Sequence, residues 1–456
     1  MYYIIKQPYQ LRRWTNLSCG LVNPDNGTCY IIGENMWNIL KCCDGSVDMQ
    51  YVFMFPSQHK IFQVLLQRNF IVPAEKGDKL TELQKPKIIP FEYVQSIHWS
   101  ITGKCNLRCK HCYMSAPVQK YKDLSLSEIE KIIKQMVDAE IHQVSLTGGE
   151  PLTRKDFWQI VEKLKAENIH IRQIYTNGLL VTDEFLERVQ KENLQCEFVL
   201  SYDGKGMHDW LRGISGTEER TIEAIRRIKR HGYAVSIESA LHSQNLSTLL
   251  PTYQLMKELH IDFWKCSYIT NTGEWKCRND VEELLQKDIY DAYNQLISIN
   301  KKEGYPLNMH LDGYYACRNG LESSPYQEKG KENYSCSSCI TQPYLLPDGR
   351  LIPCPSFTDT EIELSMPYLT EHSLTEIFQD KEGPFYQVTH IRGDEIKDHN
   401  ESCHDCIHND KCKGGCRAMA LLSSGNLYGT DQMICDYYKL GYGTWAEGGK
   451  SYESIE

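Results

Sequence analysis

Strand-length and helix-length segments alternate through the middle of this 456-residue chain. The first predicted strand runs from Ser96 to Thr102. Five further strand segments, each followed by a helix-length segment, begin at His142, His170, Cys196, Tyr233 and Ile261. Six strand–helix units favour a parallel sheet, because parallel neighbours need a crossover connection. The pattern predicts an α/β domain whose reactive groups lie at the carboxyl ends of the strands.

Three cysteines occupy the loop after the first predicted strand. Cys105, Cys109 and Cys112 are spaced as CxxxCxxC. Three thiolates from one loop can bind three irons of a cubane cluster and leave the fourth iron without a protein ligand. A structural zinc site normally takes four protein ligands, often as two separated pairs. The triplet therefore favours an iron–sulfur cluster over a zinc site or buried thiols.

Composition excludes several classes of protein. A net charge of −10 argues against a protein that clamps nucleic-acid phosphates. The sequence contains no run of eighteen apolar residues, and Met1 to Trp14 lacks the apolar core of a signal peptide. We expect a cytoplasmic protein with no nucleic-acid or membrane partner. Nineteen cysteines are many for a reducing compartment, where disulfides are rare, so we expect them to hold metal or clusters.

Eight more cysteines follow regular spacings in the last third of the chain. From Cys339 the pattern is C-x9-G-x4-C, then C-x2-C-x5-C-x3-C, then a final cysteine. The eight are Cys336, Cys339, Cys354, Cys403, Cys406, Cys412, Cys416 and Cys435. Eight thiols suit two four-iron clusters, and two structural zinc sites are the alternative.

The CxxxCxxC triplet resembles the signature of the radical S-adenosylmethionine (SAM) enzymes. The motif Gly148-Gly149-Glu150-Pro151, one strand and one helix later, matches the family's motif for the methionine amino group. The resemblance implies a partial (β/α)6 TIM-like barrel and a cluster whose open iron is chelated by SAM. Glu150 or nearby carbonyls would hold the amine.

The same resemblance implies positions for the rest of SAM. His111 takes the place of the residue that contacts adenine, and Ser201 and Asp203 would lie near the ribose and the methionine part. Arg212 could pair with the carboxylate. The residues expected to bind the cofactor are therefore His111, Gly148, Gly149, Glu150, Ser201 and Asp203.

The C-terminal cysteines resemble the seven-cysteine pattern of the SPASM subfamily. That resemblance implies two auxiliary 4Fe–4S clusters, and hence three clusters in all. The inner cluster would be held by Cys336, Cys339, Cys354 and Cys416, and the outer cluster by Cys403, Cys406, Cys412 and Cys435. Cys336 departs from the family pattern, so Cys317 could replace it, or the fourth position could be open to substrate.

Residues 1–80 are predicted to form a winged-helix-like unit of strands and three short helices. Trp37 before Asp44-Gly45, and the closing Phe70-Ile71-Val72, resemble the precursor-recognition domain of ribosomal peptide maturases. Such a domain binds a leader peptide as an added strand. A cap packed on the barrel and a DNA-binding winged helix are the alternatives. We expect a linker at 81–93, a radical SAM barrel at 94–310 and a SPASM domain at 311–456.

Together these parts imply a radical SAM peptide maturase. A 5′-deoxyadenosyl radical would abstract hydrogen from the peptide, and an oxidative crosslink (thioether, C–C or C–O) would follow. The expected partners are a precursor peptide and an electron donor such as flavodoxin or ferredoxin. Sulfatase-maturating enzymes share the SPASM pattern, but Pro355 stands where they carry an aspartate. A non-catalytic redox sensor and a chaperone that merely holds a leader peptide are the remaining alternatives. No general base is identified, with Glu238, Asp312 and Tyr314 as candidates.

Overall fold

The structure, a computed structural model, describes residues 1–15, 19–52, 55–323 and 334–442. The predicted third domain therefore extends beyond the described residues, because 324–333 and 443–456 lie outside them. The N-terminal elements are β1 (Tyr2–Ile5), β2 (Gln10–Arg13), β3 (Cys19–Asn23), β4 (Thr28–Ile32), α1 (Glu34–Cys42), α2 (Pro56–Gln67), β5 (Ile71–Ala74) and β6 (Lys87–Ile88). The third short helix of the prediction is a 3-10 turn at Met49–Tyr51.

The N-terminal strands form two small sheets around a separate apolar core. β1 pairs antiparallel with β5, and a second sheet has the order β4-β3-β2-β6. Leu11, Leu21, Trp37 and Leu65 are buried together between these strands and the two helices. Burying such side chains stabilises the unit by roughly 1.5–3 kcal/mol for each large apolar residue.

The segment predicted as a linker, 81–93, is packed against both of its neighbours. β6 pairs with β2 in parallel, with Arg12 opposite Lys87. Ile89 and Phe91 are buried in the core of the following domain. The charged, proline-containing sequence of this segment does not predict this packing. A two-residue strand such as β6 is held by backbone hydrogen bonds, which need no pattern of side chains.

Six parallel strands and their helices confirm the strand–helix alternation. In chain order the elements are β7 (Ile97–Ser100), α3 (Leu126–Asp138), β8 (Gln143–Thr147), α4 (Phe157–Ala166), β9 (His170–Thr176), α5 (Asp183–Lys191), β10 (Glu197–Ser201), α6 (His208–Arg212), α7 (Thr217–Arg230), β11 (Val235–Leu241), α8 (Leu249–Glu258), β12 (Phe263–Tyr268) and α9 (Gln286–Lys302). β7 to β12 are neighbours in sequence order and parallel throughout. Ile129, Ile132 and Ile133 of α3 are buried in the same core as Val144 and Leu146 of β8, so the helix covers the outer face of the sheet.

The sheet continues on both sides of these six strands. β13 (Met309–Leu311) adds a seventh parallel strand beside β12, followed by antiparallel β14 (Tyr315–Arg318) and β15 (Leu321–Ser323). The predicted boundary at 310/311 therefore falls inside β13. At the other edge β16 (Tyr344–Leu345) lies parallel to β7, and β17 (Leu351–Ile352) pairs with β16. The eleven-stranded sheet is a large α/β sheet consistent with a partial TIM-like barrel.

Short helices make up most of the C-terminal part. They are α10 (Ser338–Thr341), α11 (Glu361–Ser365), α12 (Leu374–Gln379), α13 (Pro384–Thr389), α14 (Gly393–His399), α15 (Glu401–His404), α16 (Asn409–Cys412), α17 (Arg417–Ser424) and α18 (Gln432–Lys439). Leu345, Phe378 and Tyr437 belong to the same apolar core as the barrel. None of the helices in the described ranges has the length and apolar content needed to cross a bilayer.

Candidate active site

Backbone contacts from three elements hold the cysteine loop at the carboxyl end of β7. Gly149 N donates to Thr102 O at 2.8 Å, and Glu150 N donates to Lys104 O at 2.8 Å. On the other side Lys110 N donates to Leu211 O of α6, also at 2.8 Å. The loop is therefore tied to the ends of β8 and α6, as expected for a site at the carboxyl edge of a parallel sheet.

Each of the three thiols in this loop accepts an N–H hydrogen bond. Leu107 N lies 3.4 Å from Cys105 Sγ, and Ala116 N lies 3.4 Å from Cys112 Sγ. Arg212 Nη1 donates to Cys109 Sγ at 3.7 Å. Burial raises the pKa of Cys105 to about 12 and also raises the pKa values of Cys109 and Cys112. Such thiols need a cation to become thiolates, and N–H donors on sulfur are the outer-shell groups that tune a cluster.

The donor set of the loop fits an iron–sulfur cluster in its chemistry. Three sulfurs from one loop, each with an N–H donor, match ligation of three of four irons. In the described ranges, no three His, Cys, Asp or Glu side chains are arranged around a position for a single metal ion. A cubane cluster separates its cysteine sulfurs more widely than a single ion does.

The two glycines after β8 permit close backbone approach to the cysteine loop. A Cβ atom at Gly149 would lie 2.2 Å from Lys104 O, and one at Gly148 would lie 2.6 Å from Thr102 O. Any side chain at either position would displace the loop. The glycines therefore set the distance between the cysteine loop and the end of β8.

Glu150 is fully buried, and its carboxylate accepts three protein hydrogen bonds. The donors are Asn177 N at 2.8 Å, Leu152 N at 3.1 Å and Thr176 Oγ1 at 2.9 Å. Burial raises the pKa of Glu150 to about 7. The carboxylate thus joins the end of β8 to the end of β9. The sequence left either Glu150 or nearby carbonyls as the groups that would hold the SAM amine. Because Glu150 is occupied by protein donors, the backbone carbonyls are the better placed of the two.

The structure surrounds Asp203 with protein donors. Arg212 contacts both carboxylate oxygens, at 2.6 and 2.8 Å, and Ala240 N donates to Oδ1 at 3.0 Å. His208 Nδ1 lies 3.1 Å from Oδ2. Arg212 is thereby held against Cys109 Sγ, so Asp203 positions the arginine beside the cluster loop. Ser201, the other residue expected near SAM, lies opposite Glu238 in the ladder between β10 and β11.

Two histidines near this edge have buried ring nitrogens without a hydrogen-bond partner among the described residues. They are Nδ1 of His111 and both ring nitrogens of His242. Burial lowers the pKa of His111 to about 3 and that of His242 to about 4, so both rings are neutral at pH 7. Sequence reasoning missed His242, whose ring lies between Trp210 and Trp275 with centroids at 5.1 and 5.7 Å. Unpaired nitrogens of this kind fit a polar ligand such as the SAM adenine.

The inner set of predicted auxiliary thiols is brought together. The Cys339 thiol hydrogen bonds with those of Cys336 and Cys354, and both contacts raise its pKa. Burial raises the pKa of Cys416, and the charges of Cys354 and Cys336 add to the effect. Cys317, the alternative ligand, lies in β14, where its thiol hydrogen bonds with Tyr315.

The outer set lines a cavity of about 380 Å³, a volume that includes its opening to solvent. Cys403, Cys406, Cys412 and Cys435 all face this cavity. Burial raises the pKa of Cys412 to about 12. A turn that contains Gly414 and Gly415 separates Cys412 from Cys416. Cys412 therefore lies with the outer set of thiols, and Cys416 with the inner set.

Comparison with known proteins finds a family model that matches part of the chain. The model of the "Radical SAM superfamily" matches residues 99–256, the stretch that contains the cysteine loop and β7 to α8. The chain carries a radical SAM domain. Within this stretch, the CxxxCxxC loop and the glycine pair lie at the carboxyl edge of the sheet.

The curated relatives of this chain carry names that differ in what those proteins act on. An AdoMet-dependent heme synthase from Oleidesulfovibrio alaskensis is 23% identical over 353 residues, which are 75% of this chain and 87% of that protein. A PqqA peptide cyclase from Bradyrhizobium diazoefficiens is 23% identical over 363 residues, 77% of this chain and 89% of that protein. SuiB of Streptococcus suis, solved with its precursor peptide SuiA, superposes with a TM-score of 0.67 at 16% identity, covering 95% of this chain and 99% of SuiB.

Proposed function

We propose that this radical SAM enzyme modifies a ribosomally made precursor peptide and introduces an oxidative crosslink, either a thioether or a C–C or C–O bond. One observation carries the proposal. The likeness to peptide-bound SuiB extends over 95% of the chain, whereas the likeness to the solved structure of anSMEcpe with bound AdoMet covers 75% of it. A peptide-binding fold thus accounts for nearly the whole chain, including parts that a shared barrel would not require.

The N-terminal domain is proposed to bind the leader of that peptide. β4 is an edge strand of the β4-β3-β2-β6 sheet, and Ile31 on it is 57% exposed. An edge strand offers unpaired N–H and C=O groups to an added strand, and alternate side chains then provide selectivity. The contacts of this domain with the barrel favour a fixed position for a bound leader.

The proposed cofactors are SAM and three 4Fe–4S clusters. Cys105, Cys109 and Cys112 would hold the first cluster, and the two sets of four C-terminal thiols would hold the auxiliary ones. When bound, the first cluster and SAM supply the 5′-deoxyadenosyl radical. His111, the backbone of Gly148 and Gly149, and the β10 edge at Ser201 would orient SAM, while Asp203 and Arg212 hold Cys109.

We further propose a cytoplasmic location, with flavodoxin or ferredoxin as the electron donor and no nucleic-acid or membrane partner. A second candidate substrate is a tetrapyrrole, which the relatives named as heme synthases favour. The sulfatase-maturating and redox-sensor alternatives are less well supported, because Pro355 follows Cys354 and because a sensor has no use for the buried SAM edge.

The deciding experiment is mass spectrometry of the small peptide encoded beside this protein, after anaerobic incubation with enzyme, SAM and a strong reductant. Loss of two hydrogens together with 5′-deoxyadenosine is the expected result. Deoxyadenosine without a change in the peptide would contradict the peptide assignment, and consumption of a tetrapyrrole under the same conditions would support the second candidate.

Iron content tests the cluster assignment. We expect about twelve irons per chain after anaerobic reconstitution. Replacing Cys105, Cys109 and Cys112 with alanine should remove about four of them and abolish cleavage of SAM. An unchanged iron content in that variant would show that the triplet is not the cluster site.

Leader binding is tested by deleting residues 1–80 and, more gently, by Ile31→Asp at the exposed edge of β4. Both changes should weaken crosslinking of a peptide that carries its leader and should spare uncoupled cleavage of SAM. Equal processing by wild type and by both variants would rule out the recognition role of this domain.

A further inference from the structure

The interior of the barrel is lined by polar side chains. Ser145 Oγ donates to Gln173 Oε1 at 3.1 Å, and Gln173 Nε2 donates to Glu197 Oε2 at 2.7 Å. Ser236 on β11 continues this chain by donating to Glu197. An interior that only filled the barrel would hold layers of branched apolar side chains. The polar lining instead indicates space for a polar substrate.

A second polar layer lies nearer the carboxyl ends of the strands. Glu238, Lys265 and His310 are successive partners across β11, β12 and β13. Lys265 Nζ lies 3.5 Å from Glu238 Oε1, and the two side chains remain 33% and 41% exposed although their strands are inside the sheet. Asp312 lies 3.9 Å from His310. The Glu238 and Lys265 side chains are therefore partly open to solvent rather than enclosed by packed protein.

Aromatic side chains join the cysteine loop to the wall of the barrel. Tyr113, directly after Cys112, shares a hydrogen bond of 3.0 Å with the hydroxyl of Tyr344 on β16. The ring of Tyr344 packs on His98, with centroids 5.1 Å apart. The ring of His98 also packs on that of Tyr175 of β9, with centroids 4.6 Å apart. These rings connect the cysteine loop to β9, and Glu238 lies on β11, two strands further along the same sheet.

Among the three carboxylate or phenol candidates in this region, Glu238 is the best placed. Glu238 pairs with Ser201 at the carboxyl end of β10, where SAM is expected. Asp312 follows β13, which lies three strands away from β10 in the sheet. Tyr314 is fully buried and donates its hydroxyl to Asn294 at 2.6 Å, so it belongs to the core.

We propose that Glu238 is the general base of the crosslinking step and that Lys265, whose Nζ lies 3.5 Å from Glu238 Oε1, positions its carboxylate. The step rests on the proposed function. A hydrogen atom leaves a peptide C–H bond to form 5′-deoxyadenosine, and the carbon radical bonds to a second peptide atom that still carries hydrogen. One electron then leaves to an acceptor of the iron–sulfur class, and the remaining proton passes to Glu238. The peptide has lost two hydrogens, one as an atom and one as a proton.

Glu238→Gln separates proton removal from hydrogen-atom abstraction. The wild type and the variant are incubated with perdeuterated precursor peptide, SAM and reductant. We expect deuterium to appear in 5′-deoxyadenosine from both, while the crosslinked peptide falls about a hundredfold in the variant. The dissociation constant of the peptide and the iron content should be unchanged. Glu238→Asp, which keeps a carboxylate, should recover part of the crosslinking.

Glu192→Gln is the matched control, because Glu192 forms the same kind of ion pair with Lys165, at 2.7 Å, outside the barrel. It should crosslink like the wild type. Normal crosslinking by Glu238→Gln would overturn the proposal, and so would loss of deuterium transfer or of peptide binding, since either would make Glu238 a substrate-positioning residue. Failure of the wild type itself to crosslink would remove the proposed function and this base together.

Discussion

Glu150 shows how a single buried side chain can organise a cofactor edge. Its carboxylate has no exposure to solvent and accepts hydrogen bonds from Leu152, Thr176 and Asn177. The residue therefore connects two strand ends, beside the backbone that approaches the cysteine loop. Glu150 thus acts first as the residue that positions the two glycines of its motif.

Glu150→Gln should weaken SAM binding by about tenfold to a hundredfold, because the amide group of glutamine would face one of the three donors and leave it buried without an acceptor, at a cost of about 1–3 kcal/mol. Isothermal titration of the reconstituted enzyme with SAM measures the change. Glu184→Gln, in the first turn of α5, is the control and should bind normally. Equal affinities in all three proteins would contradict the role assigned to Glu150.

At the scale of elements, the site is a meeting point of loops that leave different strands. The cysteine loop after β7 contacts the end of β8 through Gly149 and the end of α6 through Lys110. A capping box at Ser125, with Glu128 Oε2 accepting from Ser125 N at 2.7 Å, starts α3 where the sequence predicts it. Local capping thus sets where the helix begins, and backbone contacts between elements set where the loop lies.

Gly149→Ala should displace the cysteine loop, because the new Cβ would lie 2.2 Å from Lys104 O. We expect the variant to lose about four irons per chain and to stop cleaving SAM. Gly33→Ala is the control, since a Cβ there meets no atom within 4 Å. Iron analysis and 5′-deoxyadenosine formation report the outcome. A Gly149→Ala variant with full iron and normal cleavage would show that the close approach is dispensable.

On the scale of the whole molecule, the N-terminal domain lies at the amino ends of the strands, opposite the cysteine loop. Arg12 Nε donates to Glu140 Oε2 at 2.8 Å, and Lys87 Nζ donates to Oε1 at 2.8 Å. Nearby, His170 Nε2 lies 2.7 Å from Pro24 O. Under the proposed function, a leader bound to this domain would leave the rest of the peptide to pass around the barrel to the carboxyl edge of the sheet.

Glu140→Gln should lower the free energy of unfolding by about 3 kcal/mol, because Arg12 is 2% exposed and would lose its buried counter-charge. Chemical unfolding of the metal-free chain measures this. Glu82→Gln, which breaks an exposed ion pair with Lys85, is the control and should cost less than about 1 kcal/mol. Similar losses in the two variants would contradict the anchoring role.

The same contact predicts a pH dependence. Burial alone would raise the pKa of Glu140, but His142 and Arg12 outweigh burial and lower it to about 2 from 4.5. A lowered pKa contributes stability that is complete above the ordinary value and is lost as the pH falls toward the folded value. The difference in unfolding free energy between wild type and Glu140→Gln should therefore be constant above pH 4.5 and shrink below it. A difference that grows on acidification would contradict this.

The amino-acid sequence alone predicts the six strand–helix units, the cysteine loop after the first strand and the glycine motif after the second. These follow from local hydrophobic periodicity and residue spacing, which do not depend on distant contacts. The proximity of Cys336 to Cys339, Cys354 and Cys416 was a family expectation that spacing alone left open.

Contacts between distant parts of the chain appear only in the folded structure. Three such contacts join positions that are far apart in the chain: the packing of His242, the Glu238–Lys265 pair and the Arg12–Glu140 contact. Nothing in the local sequence pattern at one position points to the other. The strand from Lys87 to Ile88 and the seventh parallel strand, Met309–Leu311, likewise exist because a neighbouring strand supplies their hydrogen bonds. Long-range pairing and burial are properties of the folded chain, and the packing of the whole molecule selects them.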